Sequence, residues 1–558
     1  MSPQRHGARG PGRAPRSAAL SAARRTFALH ARAERLGMPV DELAGAEASA
    51  RARAGAEDAG ATRRELLLAA GAGAGALALT ASPAVALARR LARSPAPPRV
   101  AIVGGGLAGL RCAHALARQN PRRPIAASVY EANPDRAGGR CWTLRNFFEA
   151  SLTTEHGGAF INSNQHAIRR LVAQLGLEEE LVNGGDLLSG EEVYLIGGSP
   201  YSYREANRDW ADVGYPAFRG ALRELRTPAG ERRLDAMSVP EWLASTAIGT
   251  SSRFGQLMIA NAVTENGGDP DDMSALDLVE VTGHNRRSSL SPIPGDDERY
   301  HVVGGNDQIV ARMIAELPAG AVQHDRELVA LRANTDRSTR LVFRTSAGTR
   351  EVDADLVVLA LPFSKLRTVD LRRSGLSALK RRVIDTFGMG ANAKIHVELS
   401  HKTWPALGYS GATYSDWEGF CCAWDDSVAL GADASPALLL GFPGGRVGRS
   451  GLSGGAHGPA PSADVDWLLT QIEQLYPGTR AAYDGLAYED HWALDPWVQG
   501  AYSYCRVGQA SSFGEIAAAT EGGIHFAGEH TSIVNQGFLD GAVETGERAA
   551  REILRRLA

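Results

Sequence analysis

Lysine is nearly missing from this sequence. There are four in 558 residues, at 365, 380, 394 and 402, and arginine supplies the rest of the positive charge. An arginine does not give up its proton in a protein, whereas lysine is a compact charge whose proton affinity shifts on burial. Lys394, in Ala393-Lys394-Ile395-His396-Val397, is therefore either a statistical leftover or a position whose chemistry needs an amine. Cysteine is scarce as well. The five thiols are an odd number and none has the paired spacing of a zinc site, so neither disulfide staples nor a metal organises the chain. A net charge of -3 gives no field that would recruit nucleic acid or an anionic membrane. No internal repeat is visible.

What remains is the composition of a globular protein, 44% hydrophobic and 22% charged, long enough for two or three domains. Residues 1–61 read as a disordered Arg/Ala-rich leader; its first 35 positions hold eight arginines against one acid, Glu34. Residues 62–88 place the twin arginine Arg63-Arg64 before a weakly apolar Ala/Gly run that ends in Ala84-Val85-Ala86. That pattern resembles a twin-arginine (Tat) export signal and makes a poor spanning helix. The expectation is an exported protein, periplasmic or extracellular, with no stable membrane span and with Met38 as an alternative start. Residues 89–98 form a Pro-rich linker.

Val100–Val103 then reads as a buried strand, followed at once by Gly104-x-Gly106-x-x-Gly109, a helical stretch through Gln119, and a second strand ending in Glu131. The glycines allow the tight turn, the approach of a pyrophosphate to the backbone and close helix–strand packing. The helix N-terminus, including Ala108, offers its positive dipole end, and Glu131 is placed to accept from ribose hydroxyls. Arg136-Ala137-Gly138-Gly139-Arg140 adds flexible backbone and a guanidinium beside the phosphates, which favours FAD over NAD.

With "VAIVGGGLAGL", "EANPDRAGGR", "EHGGAFI", "YHVVGGNDQIV", "DLVVLALP" and "FAGEHTSIVNQGFLDGAVETGERAAREIL" in order, the chain from about residue 99 resembles the flavin amine oxidase superfamily, which includes monoamine, polyamine and L-amino acid oxidases. The resemblance implies an α/β fold: a Rossmann-like (GR2-type) FAD domain at 97–165, 298–368 and 503–558, interleaved with a mixed α+β substrate domain at 166–297 and 369–502. It implies FAD contacts from Gly139, Arg140, Gly158, Ala159, Leu328, Gly528 and Glu529. Gly541-Ala542-Val543 would open a helix aimed at the flavin pyrimidine ring. Lys394 would hold a water near the flavin, and Tyr502 and Phe538 would be the walls of an aromatic cage that steers the amine. Ala501 stands where monoamine oxidases carry the cysteine that links to FAD, so noncovalent FAD is expected.

Glu327–Arg332, Leu341–Thr345 and Arg350–Val358 read as a meander, and Gly448 to Pro461 as a surface loop with no chemistry. Trp492 reads as core more readily than as cavity wall, and His491 and His530 as structural. The implied activity is oxidative deamination of a small-molecule amine or L-amino acid, with O2 reduced to hydrogen peroxide. The sequence lacks an arginine after Gly157-Gly158 but leaves the two substrate classes open. A dehydrogenase or desaturase, a flavoprotein without turnover, and a homodimeric assembly also stay open.

Overall fold

Every side chain of Val100–Val103 (β1) is buried, as a strand covered on both faces requires. β1 is followed directly by the helix Leu107–Gln119 (α1) and the strand Ala127–Tyr130 (β2). β1 and β2 pair in parallel, Val100 opposite Ala127 and Val103 opposite Tyr130. They are the middle of a five-stranded parallel sheet whose order is Ile524–Phe526, Leu356–Leu359, β1, β2, Val322–Gln323. Strands from Val100 to Phe526 thus meet in one dinucleotide-type sheet. The computed structural model describes residues 98–557 apart from 120–124, 126, 182–189 and 292–296. The leader, the Tat-like segment and the linker up to Pro97 lie outside the described residues.

The meander is present with one revision. Glu327–Ala333, Thr339–Thr345 and Gly348–Ala354 pair antiparallel, but the third strand ends at Ala354. At Asp355 the chain is taken by Arg99, whose backbone N–H and guanidinium both donate to the carboxylate, and Leu356–Leu359 joins the parallel sheet instead.

Thr154–Glu155 (β3) leads toward the second sheet, and Arg253–Asn266 (α2) is a helix buried almost throughout, in a core with Trp210, Phe218 and Trp242. Ala393–Leu399 (β4) is central in a six-stranded antiparallel sheet. On one side it is followed by Tyr483–His491 and then by His457–Pro459; these are β6 and β5 in chain order. On the other lie Ala437–Gly441, Cys422–Asp425 and Thr413–Tyr414.

β4 alternates in sequence, yet all seven of its residues are buried. One face packs Ala393, Ile395, Val397 and Leu399 into an apolar core. The other presents Lys394, His396 and Glu398, which bind the segment 149–157 laid across them. Glu398 accepts from Glu149 N–H (2.7 Å), the Thr154 hydroxyl lies 3.1 Å from His396 Nδ1, and the Lys394 ammonium donates to the carbonyls of Glu155 and Gly157.

The C-terminal helix Leu539–Leu557 (α3) starts two residues before the expected Gly541. It crosses α1 so closely that a Cβ on Gly546 would meet the Ala108 carbonyl oxygen at 2.4 Å. The whole is an α/β protein, a parallel dinucleotide-type sheet combined with a mixed α+β part built on the antiparallel sheet.

Candidate active site

The turn between β1 and α1 is shaped by what its glycines exclude. A Cβ on Gly109 would meet the Gly104 carbonyl oxygen at 2.0 Å, so this position sets the close approach of helix and strand. Gly106 differs. A Cβ there would meet nothing nearer than the Gly138 carbonyl oxygen at 4.0 Å, so its missing side chain leaves open space over the N-terminus of α1. No acidic residue occupies the first turn of α1, and Ala108 is buried within it.

Glu131, at the end of β2, is buried, and burial raises its pKa against the pull of two backbone donors. Gly105 N–H and Asn133 N–H each donate to one of its oxygens at 2.7 Å, which fixes the carboxylate and leaves each oxygen a further lone pair. These features fit the diphosphate and ribose of a dinucleotide.

Around this cradle, Arg140 Nη1 donates to the Ala501 carbonyl (2.7 Å) and to Glu529 Oε1 (2.9 Å). Gly139 lies in the left-handed region against Gly106. Glu529 is buried; it also accepts from Ser503 N–H and Oγ–H and from Gly537 N–H. Burial alone would raise its pKa, but Arg140 and the other donors outweigh burial and lower it. Its carboxylate thus ties together four of the segments the sequence singled out. Gly528 donates its N–H to Thr545 Oγ1 (3.0 Å). Gly158 and Ala159 are held through their carbonyls by Asn306 Nδ2 at 3.0 and 2.8 Å. Leu328 and Val543 are core side chains, so only their backbone is available to a ligand; Ala542 is half-buried.

Lys394 is buried, and burial lowers its pKa against the carboxylates of Asp426, Asp490 and Glu155. Nζ donates to Glu155 O at 2.6 Å and Gly157 O at 2.8 Å. An ammonium has three N–H donors, so one is left for a water or ligand. Tyr502 and Phe538 are both half-buried. The Tyr502 hydroxyl donates to the Thr264 carbonyl at the end of α2, and its ring lies beside Gly537. Trp492 is core, and its Nε1–H donates to the His156 carbonyl at 2.8 Å. His530 is buried beside the Phe363 ring, and burial pushes it down to about 4.

The structure also assembles a group that sequence reasoning missed. His156, His396 and His457 surround the buried carboxylate of Asp490. His457 comes from within Gly448–Pro461, which is not a loop without chemistry. Gly445–Ser450 is helical and His457–Pro459 is β5, whose backbone bonds to β6 override the glycines and prolines around them.

A family model described as flavin containing amine oxidoreductase matches residues 107–554. Among curated relatives, amine oxidase [flavin-containing] A of Bos taurus is 27% identical over 485 residues, covering 82% of this chain and 85% of that protein. Amine oxidase [flavin-containing] B of Sus scrofa is 26% identical over 479 residues, covering 82% and 86%. Two solved structures share the fold. Wild-type putrescine oxidase bound to putrescine has a TM-score of 0.67 at 22% identity, covering 82% of this chain and 99% of that one. Cyclohexylamine oxidase from Brevibacterium oxydans IH-35A has a TM-score of 0.67 at 21% identity, covering 83% and 99%. With the open glycine cradle, the fixed Glu131 and a family match that spans most of its length, this chain belongs to the flavin containing amine oxidoreductases and takes FAD as its cofactor.

Proposed function

We propose that the protein is an oxidase of primary amines rather than of L-amino acids, with O2 as acceptor and hydrogen peroxide as product. The observation that carries the substrate class is the field at Tyr502. Burial raises the Tyr502 phenol first, and Glu265, the thiols Cys421 and Cys422, and Glu298 raise it further in that order. With Glu192 the two carboxylates also act on Tyr414 and Cys422. Such a field attracts a substrate ammonium and repels an α-carboxylate, which needs a cationic fork.

FAD, when bound, supplies the two-electron acceptor for the substrate's α-carbon–hydrogen bond and passes the electron pair to O2. The chain supplies everything else. The Gly104–Gly109 turn and the α1 N-terminus hold the diphosphate, and Glu131 accepts from the ribose. Arg140 adds charge near the phosphates and is itself fixed by Glu529. Tyr502 and Phe538 flank the amine. Lys394 keeps one N–H for a water, and as an ammonium it favours the negative charge that develops on O2. The Arg63-Arg64 segment supports export of the folded, flavin-loaded protein, which fusion of residues 1–98 to a reporter tests.

The functional test is peroxide release in air from the purified yellow protein, with each L-amino acid paired with its decarboxylated amine, such as phenylalanine with phenylethylamine and lysine with cadaverine. Peroxide from the amine column alone is expected. Peroxide from the amino acids alone refutes the substrate class. Anaerobic bleaching of the flavin without peroxide in air moves the protein to the dehydrogenases.

A further inference from the structure

The polar face of β4 continues into a cluster that amine oxidation leaves unassigned. Asp490 on β6 is the register partner of Lys394 on β4, so the two side chains leave the sheet on the same face. His156 Nδ1 and His457 Nδ1 lie 2.7 and 2.6 Å from Asp490 Oδ1, and His396 Nε2 lies 3.3 Å from Oδ2. His457 turns its other nitrogen to Asp495 Oδ2 at 3.1 Å. Trp142 covers the cluster, stacked on His156 at 3.6 Å and edge-on to His457 at 5.0 Å.

The two short contacts are those of N–H donors on a carboxylate. Ligands sharing a tetrahedral ion at zinc bond lengths would stand about 3.3 Å apart. The cluster is held by protons.

His156 connects it to the lysine. The Lys394 ammonium takes the carbonyl on either side of His156, Trp492 takes the carbonyl of His156 itself, and Asp490 takes its ring. Asp490 therefore reaches Lys394 twice, as an anion on the same face and as the anchor of the peptide that the ammonium grips.

We propose that Asp490, pinned by His156 and His457, is a positioning residue for Lys394 that fixes where the ammonium sits and holds it charged. The proposal rests on the amine-oxidising role given to Lys394 above. The charged groups facing Lys394 are Glu155 from β3, Asp426 from the turn after Cys422–Asp425, and Asp490 from β6. Those facing Asp490 are Lys394 and the three histidine rings, with Glu489, Asp495 and Arg136 beyond. Burial opposes the charge on Lys394 and raises Glu155 toward its neutral form. Burial would also raise Asp490, but hydrogen bonds from the rings outweigh it and keep the carboxyl far below its ordinary value. Burial thus works against the charge on Glu155, while the rings hold the Asp490 carboxyl low.

With four lysines in the chain, 13C,15N-lysine labelling of the FAD-loaded protein gives four side-chain signals, and Lys394→Met assigns one. The expected result is an ammonium at position 394 in the wild type at pH 7.5, titrating about one pH unit lower in Asp490→Asn. The alkaline limb of kcat/KM for O2 moves with it, while the KM for amine and the anaerobic rate of flavin bleaching stay within about twofold of wild type. A Lys394 midpoint unmoved in Asp490→Asn overturns the proposal. So does a neutral amine at Lys394 in the wild type, a result that does not depend on any variant folding. Wild-type reoxidation by Lys394→Met, with the Asp490→Asn titration shift intact, overturns the oxidase role of the lysine instead.

Discussion

The Lys394 ammonium bridges the two carbonyls that flank His156, that of Glu155 at 2.6 Å and that of Gly157 at 2.8 Å. The Glu155 acceptor is buried and the Gly157 acceptor half-buried, so Lys394→Met leaves them without a donor at a cost of about 1–3 kcal/mol. Loss of the ammonium should slow flavin reoxidation by roughly 10²-fold, the scale of removing one preorganised donor. Lys394→Arg is expected to restore neither, because a planar fork does not fit two carbonyls around one peptide. Urea midpoints and stopped-flow reoxidation check the two effects separately.

Gly106 and Gly109 should part company as alanines. The Gly106 position has open space, so Gly106→Ala folds with wild-type stability, yet its methyl enters the space the diphosphate needs and flavin affinity falls by about tenfold or more, about 1.4 kcal/mol. In Gly109→Ala the methyl meets the Gly104 carbonyl, and overpacking costs the protein itself about 1–3 kcal/mol. Flavin titration alongside apoprotein melting separates them. Equal loss of stability in both would remove the argument that Gly106 is kept for the ligand.

The cradle was legible because its parts are neighbours in sequence: strand, turn, helix and Glu131 fall within 32 residues, and steric rules fix what each glycine is for. The strand that carries Lys394 was legible from its alternation, and the lysine stood out as one of four in the chain. The Asp490 cluster had neither kind of signal. The β5–β6 pairing brings His457 to Asp490, the β4–β6 pairing brings His396, and His156 arrives on the segment 149–157 laid across β4; His457 sits in a Gly/Pro-rich run whose strand exists because tertiary hydrogen bonds supply what local propensity does not. The burial of both faces of β4 was hidden for a related reason. Alternation shows which residues share a face, but not that the segment 149–157 lies across the polar one.

Ala501 has no sulfur to offer a flavin, and its carbonyl is bound by Arg140. All five cysteines are buried. Acid precipitation should therefore leave the yellow colour in the supernatant with none in the pellet. Flavin retained in the pellet would require a different covalent attachment.

His530 should make the fold acid-sensitive. Neither ring nitrogen has a hydrogen-bond partner among the described residues, and burial pushes its pKa from 6.5 down to about 4. A base with a depressed folded pKa is neutral in the native state while the unfolded chain takes up a proton, so its contribution is intact above pH 6.5 and is lost as pH falls toward 4. The loss reaches about 3 kcal/mol. His530→Leu removes the titrating group, and its urea midpoint should fall less than that of wild type between pH 7 and pH 4.5. Parallel curves would place the acid sensitivity in other groups.

Glu265 follows Thr264, whose carbonyl fixes the Tyr502 hydroxyl, and it and Glu298 are the carboxylates that act on that ring. Replacing one carboxylate by its amide preserves shape and removes one charge. Glu265→Gln and Glu298→Gln should therefore each raise the KM for a primary amine by about tenfold, about 1.4 kcal/mol. The maximal rate should change little, because neither residue is assigned a contact with the reacting atoms. The repulsion of an α-carboxylate falls at the same time, so turnover of the matching L-amino acid should rise in the double variant. A KM that does not move, with amino acid turnover still absent, would mean that these carboxylates act on Tyr502 without acting on the substrate, and the basis for choosing amines over amino acids would have to come from elsewhere in the site.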